Sequence, residues 1–312
     1  MPSSGAVKII GIFRRCFGRF GRALPAVWAF LAFSLPAPVY FGAAAALAAP
    51  ASKAALLSKK SGFVSYRAIY DITLENMAEK SDITGLNGRM AYEFSGSRCE
   101  GWTTQFRLLT HVDMKEEASR LTDRQSTSFE AADGREFRFA TKNYLDGELT
   151  EEVVGTAHRG KNGLEVVLTK PDDGTYKLQK ADFPLMQMAD IVKAASAGRH
   201  FMKMALFDGS GAADNVAETV IIIGNRQKPA ADDREIKFMG DFADEPAWPV
   251  TVAYFDDAEN KDGLPGYRTE FLLYENGITR NLFMDYGDFS IRGKLVRLDI
   301  LQEKSGAAAC KK

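Results

Sequence analysis

The residues from which this chain could build reactive chemistry are two cysteines, Cys99 and Cys310, and three histidines, and their spacing argues against most of that chemistry. His111, His158 and His200 stand alone, with no HExxH, CxxC or paired-histidine spacing that would gather a metal. A GxSxG elbow and a phosphate-binding loop are both missing, and Gly209-Ser210-Gly211 is too short to be more than a loop. Glu116-Glu117 and Glu151-Glu152 are neighbours along extended chain, so their side chains diverge and make no acid–base pair. Asp256, Asp257, Glu259, Asn260 and Asp262 supply oxygen ligands, but not in EF-hand order and without the closing glutamate, so they read as a solvated loop. The expectation is a protein that is not an enzyme and uses no metal or cofactor.

Cys99 lies beside the turn residues Ser95-Gly96-Ser97, between two alternating arms. Met90, Tyr92 and Phe94 form one arm, and Trp102, Thr104, Phe106 and Leu108 the other. This period-two pattern is that of a β-hairpin. The adjacent Arg98 would favour a thiolate at Cys99. Cys310, near the C-terminus, is the other cysteine beyond the leader, and two cysteines in an exported chain suggest one disulfide, with free buried thiols as the alternative. In the chain-entropy model, closing a loop of roughly 210 residues restricts the unfolded chain by at most about 5 kcal/mol.

Export is read from the N-terminus. Lys8, Arg14, Arg15, Arg19 and Arg22 form a basic region without an acid, and residues 23–51 carry no charge. With Ala46-Leu47-Ala48 as a small-x-small cleavage site, residues 1–48 read as a signal peptide. An uncleaved anchor is the competing reading, since the uncharged run could cross a bilayer of roughly 30 Å. Pro36, Pro38 and the polyalanine end favour cleavage, which leaves no stable membrane span. Cys16 stands among arginines, without the context of a lipid-attachment site. Residues 49–61 then form a flexible linker. The full chain has 40 Lys+Arg and 41 Asp+Glu, and removing the five basic residues leaves 35 against 41. That mildly acidic balance argues against a general electrostatic footprint for nucleic acid or anionic lipid, though not against a local patch.

The elements that position these residues read as strands. From Val64 to Leu74 apolar residues alternate with Ser65, Arg67, Asp71 and Thr73. Asp133-Gly134, Asp146-Gly147 and Asp173-Gly174 punctuate further short strands, and Asn276-Gly277 is the strongest hairpin signal. The Ser/Thr-rich run Arg120–Phe129 suits a solvated strand. Val220–Ile223 reads as an apolar strand, with a pairing strand around Ile236–Met239. One helix interrupts the pattern: Phe183-Pro184 opens it, Leu185, Met188, Ile191, Val192 and Ala195 share a face, and Gly198 stops it. Without βαβ alternation, the fold expected for residues 62–312 is mainly β: one domain, a single antiparallel sheet curved into an open barrel, with one packed helix. Phe183, Leu185, Met186, Met188, Ile191, Val192, Met202 and Met204 form an apolar set rich in adaptable methionine. They could line an open-barrel cavity or rim accepting an acyl chain or apolar peptide, with the helix as plug or lid, or be ordinary core.

The SYRAIYDITL strand, the RCEGW turn holding Cys99, the Phe-Pro-initiated helix and the late cysteine, in this order, resemble the cell-envelope integrity protein EipB family of alphaproteobacteria. The resemblance covers about Gly62 to Cys310. It implies a soluble periplasmic protein, a spiral-like open β-barrel, a disulfide between Cys99 and Cys310, a role in keeping the envelope intact and no established reaction. Two functions of different class follow: a non-enzymatic protein that binds periplasmic envelope proteins or components, or a carrier of a lipid or lipidated protein. On nonreducing gels the mature protein is expected to show an intramolecular bridge, and Cys99→Ser to melt at lower temperature. A free thiol in the wild type with unchanged melting would count against the bridge.

Overall fold

The computed structural model describes residues 62–210, 216–255 and 263–301. Fourteen strands form one antiparallel sheet. Its first arm comprises β1 (Tyr66–Met77), β2 (Ile83–Ser97), β3 (Gly101–Met114), β4 (Arg120–Glu130), β5 (Glu136–Leu145), β6 (Glu148–Arg159), β7 (Leu164–Lys170) and β8 (Gly174–Leu178). After helix α1 (Pro184–Ser196) the second arm comprises β9 (Phe201–Leu206), β10 (Ala217–Ile223), β11 (Trp248–Phe255), β12 (Tyr267–Leu273), β13 (Thr279–Asp285) and β14 (Phe289–Ile300). Every strand pairs with its sequence neighbours except β8 and β9, which do not pair with each other, and β1 also pairs with β14, from Tyr66↔Ile300 to Met77↔Phe289. The termini therefore meet in the middle of the sheet, and its two edges, β8 and β9, are consecutive strands separated by α1.

The sheet curls into an open barrel, because no ladder joins β8 to β9. Contact across the gap comes from the approach to the helix. Asp182 forms a one-residue parallel bridge with Leu206, its N–H donating to Ala205 O at 2.8 Å while Phe207 N–H donates back at 2.9 Å. Phe183 stacks on Phe137 of β5 at 5.1 Å, and Phe207 packs edge-on against Phe139 at 5.6 Å. Gly209, at φ +67°, allows this approach, since a Cβ there would stand 2.4 Å from the Phe139 ring. The expected hairpin turns are present, with Asp146 and Gly147 both left-handed as the two-residue turn requires.

The concave face carries the core. Tyr66, Ala68, Tyr70 and Ile72 of β1 are buried with Met90 and Phe94 of β2 and with Ile291 and Leu295 of β14. The strand expected around Ile236–Met239 is not formed. Residues 224–247 instead make an insert with 3₁₀ turns at Ile236–Phe238 and Gly240–Phe242, and β10 pairs with β11. The physical reason is spacing: Ile236, Met239 and Phe242 are three apart, so a 3₁₀ turn aligns them on one side, where they fill the central core.

This insert also repairs a split in the sheet. The β13–β14 ladder runs only from Asp285↔Ser290 to Leu282↔Gly293. Beyond it, Glu235 lies between the diverging strands and accepts from Asn281 N–H at 2.9 Å and Leu295 N–H at 2.7 Å. Arg280, 1% exposed, donates to Glu235, Asp233 and the Tyr274 hydroxyl. Burial raises the Glu235 carboxyl, opposed by these donors. Replacing Glu235 by Leu would leave two backbone donors and a buried guanidinium short of an acceptor. The expected loss is about 3–5 kcal/mol, read as a lower urea midpoint; a loss below about 1 kcal/mol would show that the split does not depend on this carboxylate.

Candidate functional site

Helix α1 begins at the Phe-Pro pair, with Pro184 in its first turn and Gly198 at φ +70° beyond its end. Phe183 offers no side-chain cap. Glu130, at the end of β4 and 4% exposed, supplies one from across the fold, accepting from Leu185 N–H at 2.9 Å and Met186 N–H at 3.2 Å. Arg159 of β6 holds the approach by pairing with Asp182 at 2.9 Å and lying over the Phe183 ring. Gln187, buried on the helix, donates to the Thr219 hydroxyl of β10 at 2.9 Å.

The apolar set expected to form one rim is distributed over several places. Phe183 belongs to the cluster on β5–β7, and Leu185 packs against the central core. Ile191 is buried with β10 and β11, where Met188, Val192, Met202 and Met204 pack against it. Met186 lies over Gly134, and Phe201 is 58% exposed on the outer face. The histidines are also apart: His111 faces Asp113 at 3.1 Å, His158 faces Glu136 at 3.9 Å, and His200 Nδ1 contacts Ile223 O at 2.7 Å. Among the described residues no group of three or more His, Cys, Asp or Glu gathers as a metal site. The acidic run 256–262 and Cys310 lie outside the described residues, as do residues 1–61. Cys99 occupies the exposed β2–β3 turn.

The hollow inside the barrel is not lined by the apolar set around the helix, where the sequence placed an open-barrel cavity. Strand β4 sits within the sheet, and register puts one of its faces on the concave side: Thr122 opposite Thr110, Arg124 opposite Leu108, Ser126 opposite Phe106 and Ser128 opposite Thr104. On β5, Arg124 is opposite Asn143 and Ser126 opposite Thr141. This Ser/Thr-rich strand thus has one face toward solvent and one toward the interior. Beside it lies a cavity of about 120 Å³, with Ile83, Leu86, Val112, Phe289 and Ile291 on its apolar side and Thr110, Thr122, Asp123, Arg124 and Asn143 on its polar side, the Asp123 carboxylate being held by Arg107 at 2.8 Å. The Thr110 and Thr122 hydroxyls are 2.6 Å apart, and Asn143 donates to Glu151 at 2.7 Å. Tyr254, Tyr267, Tyr286 and Phe289 form an aromatic row from β11 to β14, at successive ring separations of 5.2, 5.0 and 4.9 Å. Burial raises the Tyr267 hydroxyl well above its ordinary value, and the charge of Arg124 opposes that rise. A useful sequence signal was available: a strand polar on both faces, yet in the middle of a meander, must aim polar groups inward.

A second recess, of about 380 Å³, lies by the end of α1 between Arg199, His200, Arg226, Trp248 and Glu275. Its Arg226 already pairs with Glu275 at 3.0 Å and lies over Trp248.

Among the described residues, one meandering sheet rolled into an open barrel around an amphipathic hollow, with one helix at the gap, places this chain among β-barrel-like proteins. It belongs to the EipB-like family, whose model matches residues 58–302. It is 49% identical over 276 residues to the Cell envelope integrity protein EipB of Brucella abortus (strain 2308), covering 88% of this chain and 96% of that relative. A crystal structure of a β-barrel-like protein of a domain of unknown function, also from Brucella abortus, superposes with a TM-score of 0.75 at 51% identity, covering 78% of this chain and 100% of that one. Neither relative is named for a reaction. No helix among the described residues is long and apolar enough to cross a membrane.

Burial raises the Glu130 carboxyl to about 7, opposed by the two helix N–H donors. The folded protein therefore holds this proton more tightly than the unfolded chain does. The stability contributed is complete below the unfolded value, near 4.5, and is lost as pH rises through about 7. Urea titrations should show wild-type stability falling by about 2–3 kcal/mol across that window relative to Glu130→Gln. A parallel pH profile for the two proteins would refute this.

Proposed function

We propose that this chain is a non-enzymatic periplasmic protein that supports cell-envelope integrity by binding a partner protein or an envelope component. The near full-length likeness to a relative named for envelope integrity carries this reading. The arrangement of the described residues supports binding rather than chemistry: the histidines lie apart, and the most developed interior feature is a hollow. Export through residues 1–48, a linker over 49–61 and one domain over 62–312 belong to the same proposal.

So does a Cys99–Cys310 disulfide. Tyr66 pairs with Phe94 on one side and Ile300 on the other, so the Cys99 hairpin and the end of β14 leave the sheet by the same rim, about 10 Å apart across two strand spacings. Eight residues lie between Leu301 and Cys310, and the nine steps from one to the other span roughly 30 Å when extended. Tail and turn are therefore within reach of each other.

The hollow favours a second reading, carriage of a lipid or lipidated protein, because its walls are apolar on one side and polar on the other. Crosslinking in intact envelopes, with mass spectrometry of the purified protein after organic extraction, separates the two. Crosslinked envelope proteins on an otherwise empty barrel would support the first reading, and a reproducible acyl-bearing species the second. Deleting the gene should raise sensitivity to detergent. Unchanged sensitivity together with neither product would defeat both.

A further inference from the structure

Every half-buried or buried arginine among the described residues has an acidic partner, with one exception. Arg280 pairs with Asp233 and Glu235, Arg159 with Asp182, Arg268 with Asp285, and Arg292 with Glu75. Arg98, Arg199 and Arg234 make no ion pair among the described residues, but all three are exposed to water, which solvates the charge. Arg124 also makes none, yet it is half-buried and borders the hollow. Its register neighbours are Leu108 and Asn143. Glu151 acts on it only as a more distant charge, its carboxylate being turned to Asn143. A partly desolvated guanidinium without a counter-ion is costly, and a bound anion relieves that cost through paired, charge-assisted hydrogen bonds.

The remaining walls restrict the rest of the ligand. A water needs roughly 10–15 Å³ of such space, so about 120 Å³ accommodates one slender group and not a folded segment or two chains side by side. Ile83, Leu86, Val112, Phe289 and Ile291 are hydrocarbon surfaces suited to a methylene chain. The Thr110 and Thr122 hydroxyls stand at the boundary between the apolar wall and Arg124, and whichever of the bonded pair accepts keeps its own O–H to donate to an anionic head.

We propose that the hollow binds a single-chain anionic amphiphile, with its acyl chain on the apolar wall and its carboxylate or phosphate on Arg124. This rests on the carrier reading and specifies its ligand. Charge complementarity sets the sign of the head, and the cavity's size sets the number of chains.

The test is calorimetric titration of the mature protein, stripped on a hydrophobic resin, with four ten-carbon probes below their micelle concentrations: decanoate, decyl phosphate, decanol and decyltrimethylammonium. The two anions are expected to bind at least tenfold more tightly than the alcohol or the cation, and their ratio distinguishes a carboxylate seat from a phosphate seat. Arg124→Met should abolish the anion preference without weakening decanol binding or lowering the melting temperature. Glu151→Gln should tighten anion binding severalfold by removing the competing charge. Equal binding of decanoate and decanol, or a preference that survives in Arg124→Met, would overturn the anion seat and leave chain carriage standing. Failure of all four probes to bind would overturn the hollow as a carrier site as well.

Discussion

The pairing of β1 with β14 is the constraint on which the rest of the structure depends. Each arm is a meander of local hairpins, and only this ladder joins the two arms into one sheet. It also decides where the edges fall. With the terminal strands placed centrally, the exposed edges come from the middle of the sequence, where one helix can cover the gap between them. An unpaired edge invites association with other chains. Here the edge of β9 is partly met by the backbone at Asp182, and Phe183 and Phe207 join the β5–β7 wall.

Charged side chains inside the barrel perform backbone duties that secondary structure leaves undone. Glu235 takes up N–H groups where β13 and β14 part, and Glu130 takes up those at the start of α1. Both carboxyls are raised by burial, so the fold tolerates desolvated acids in exchange for satisfied amides. Arg124 differs because it serves no backbone group and no acid within ion-pair distance among the described residues, which is why its position on the hollow carries chemical information.

Much of the fold was legible because two of its signals are local. Alternation along Val64–Leu74 and the turn chemistry of Asp146-Gly147 depend on neighbouring residues, and both appear as read. The helix after Phe183-Pro184 was equally clear, from proline at its start and glycine past its end. The insert at Ile236–Met239 was misread because a short apolar run has no period of its own. Its 3₁₀ form is set by the core that it plugs and by an ionic contact with β13 some 45 residues away. The place and polar lining of the hollow escaped notice for a related reason. Ser and Thr on β4 look like a wet strand until the sheet order shows that one face of it turns inward. The eight apolar residues around the helix share hydrophobicity but not neighbours, since strands from three parts of the sheet claim them.

Placing the first and last strands side by side also imposes a schedule on synthesis. The partner of Tyr66 is Ile300, more than two hundred residues later, so one flank of β1 has no native neighbour until the chain is almost finished. At ribosomal speeds of about 5–20 residues per second, that wait lasts roughly ten to fifty seconds. Throughout it the first arm can fold onto β2, while the opposite side of β1 offers open hydrogen-bonding groups to any passing strand. A chain with this topology therefore cannot close its central ladder until its last strand is made.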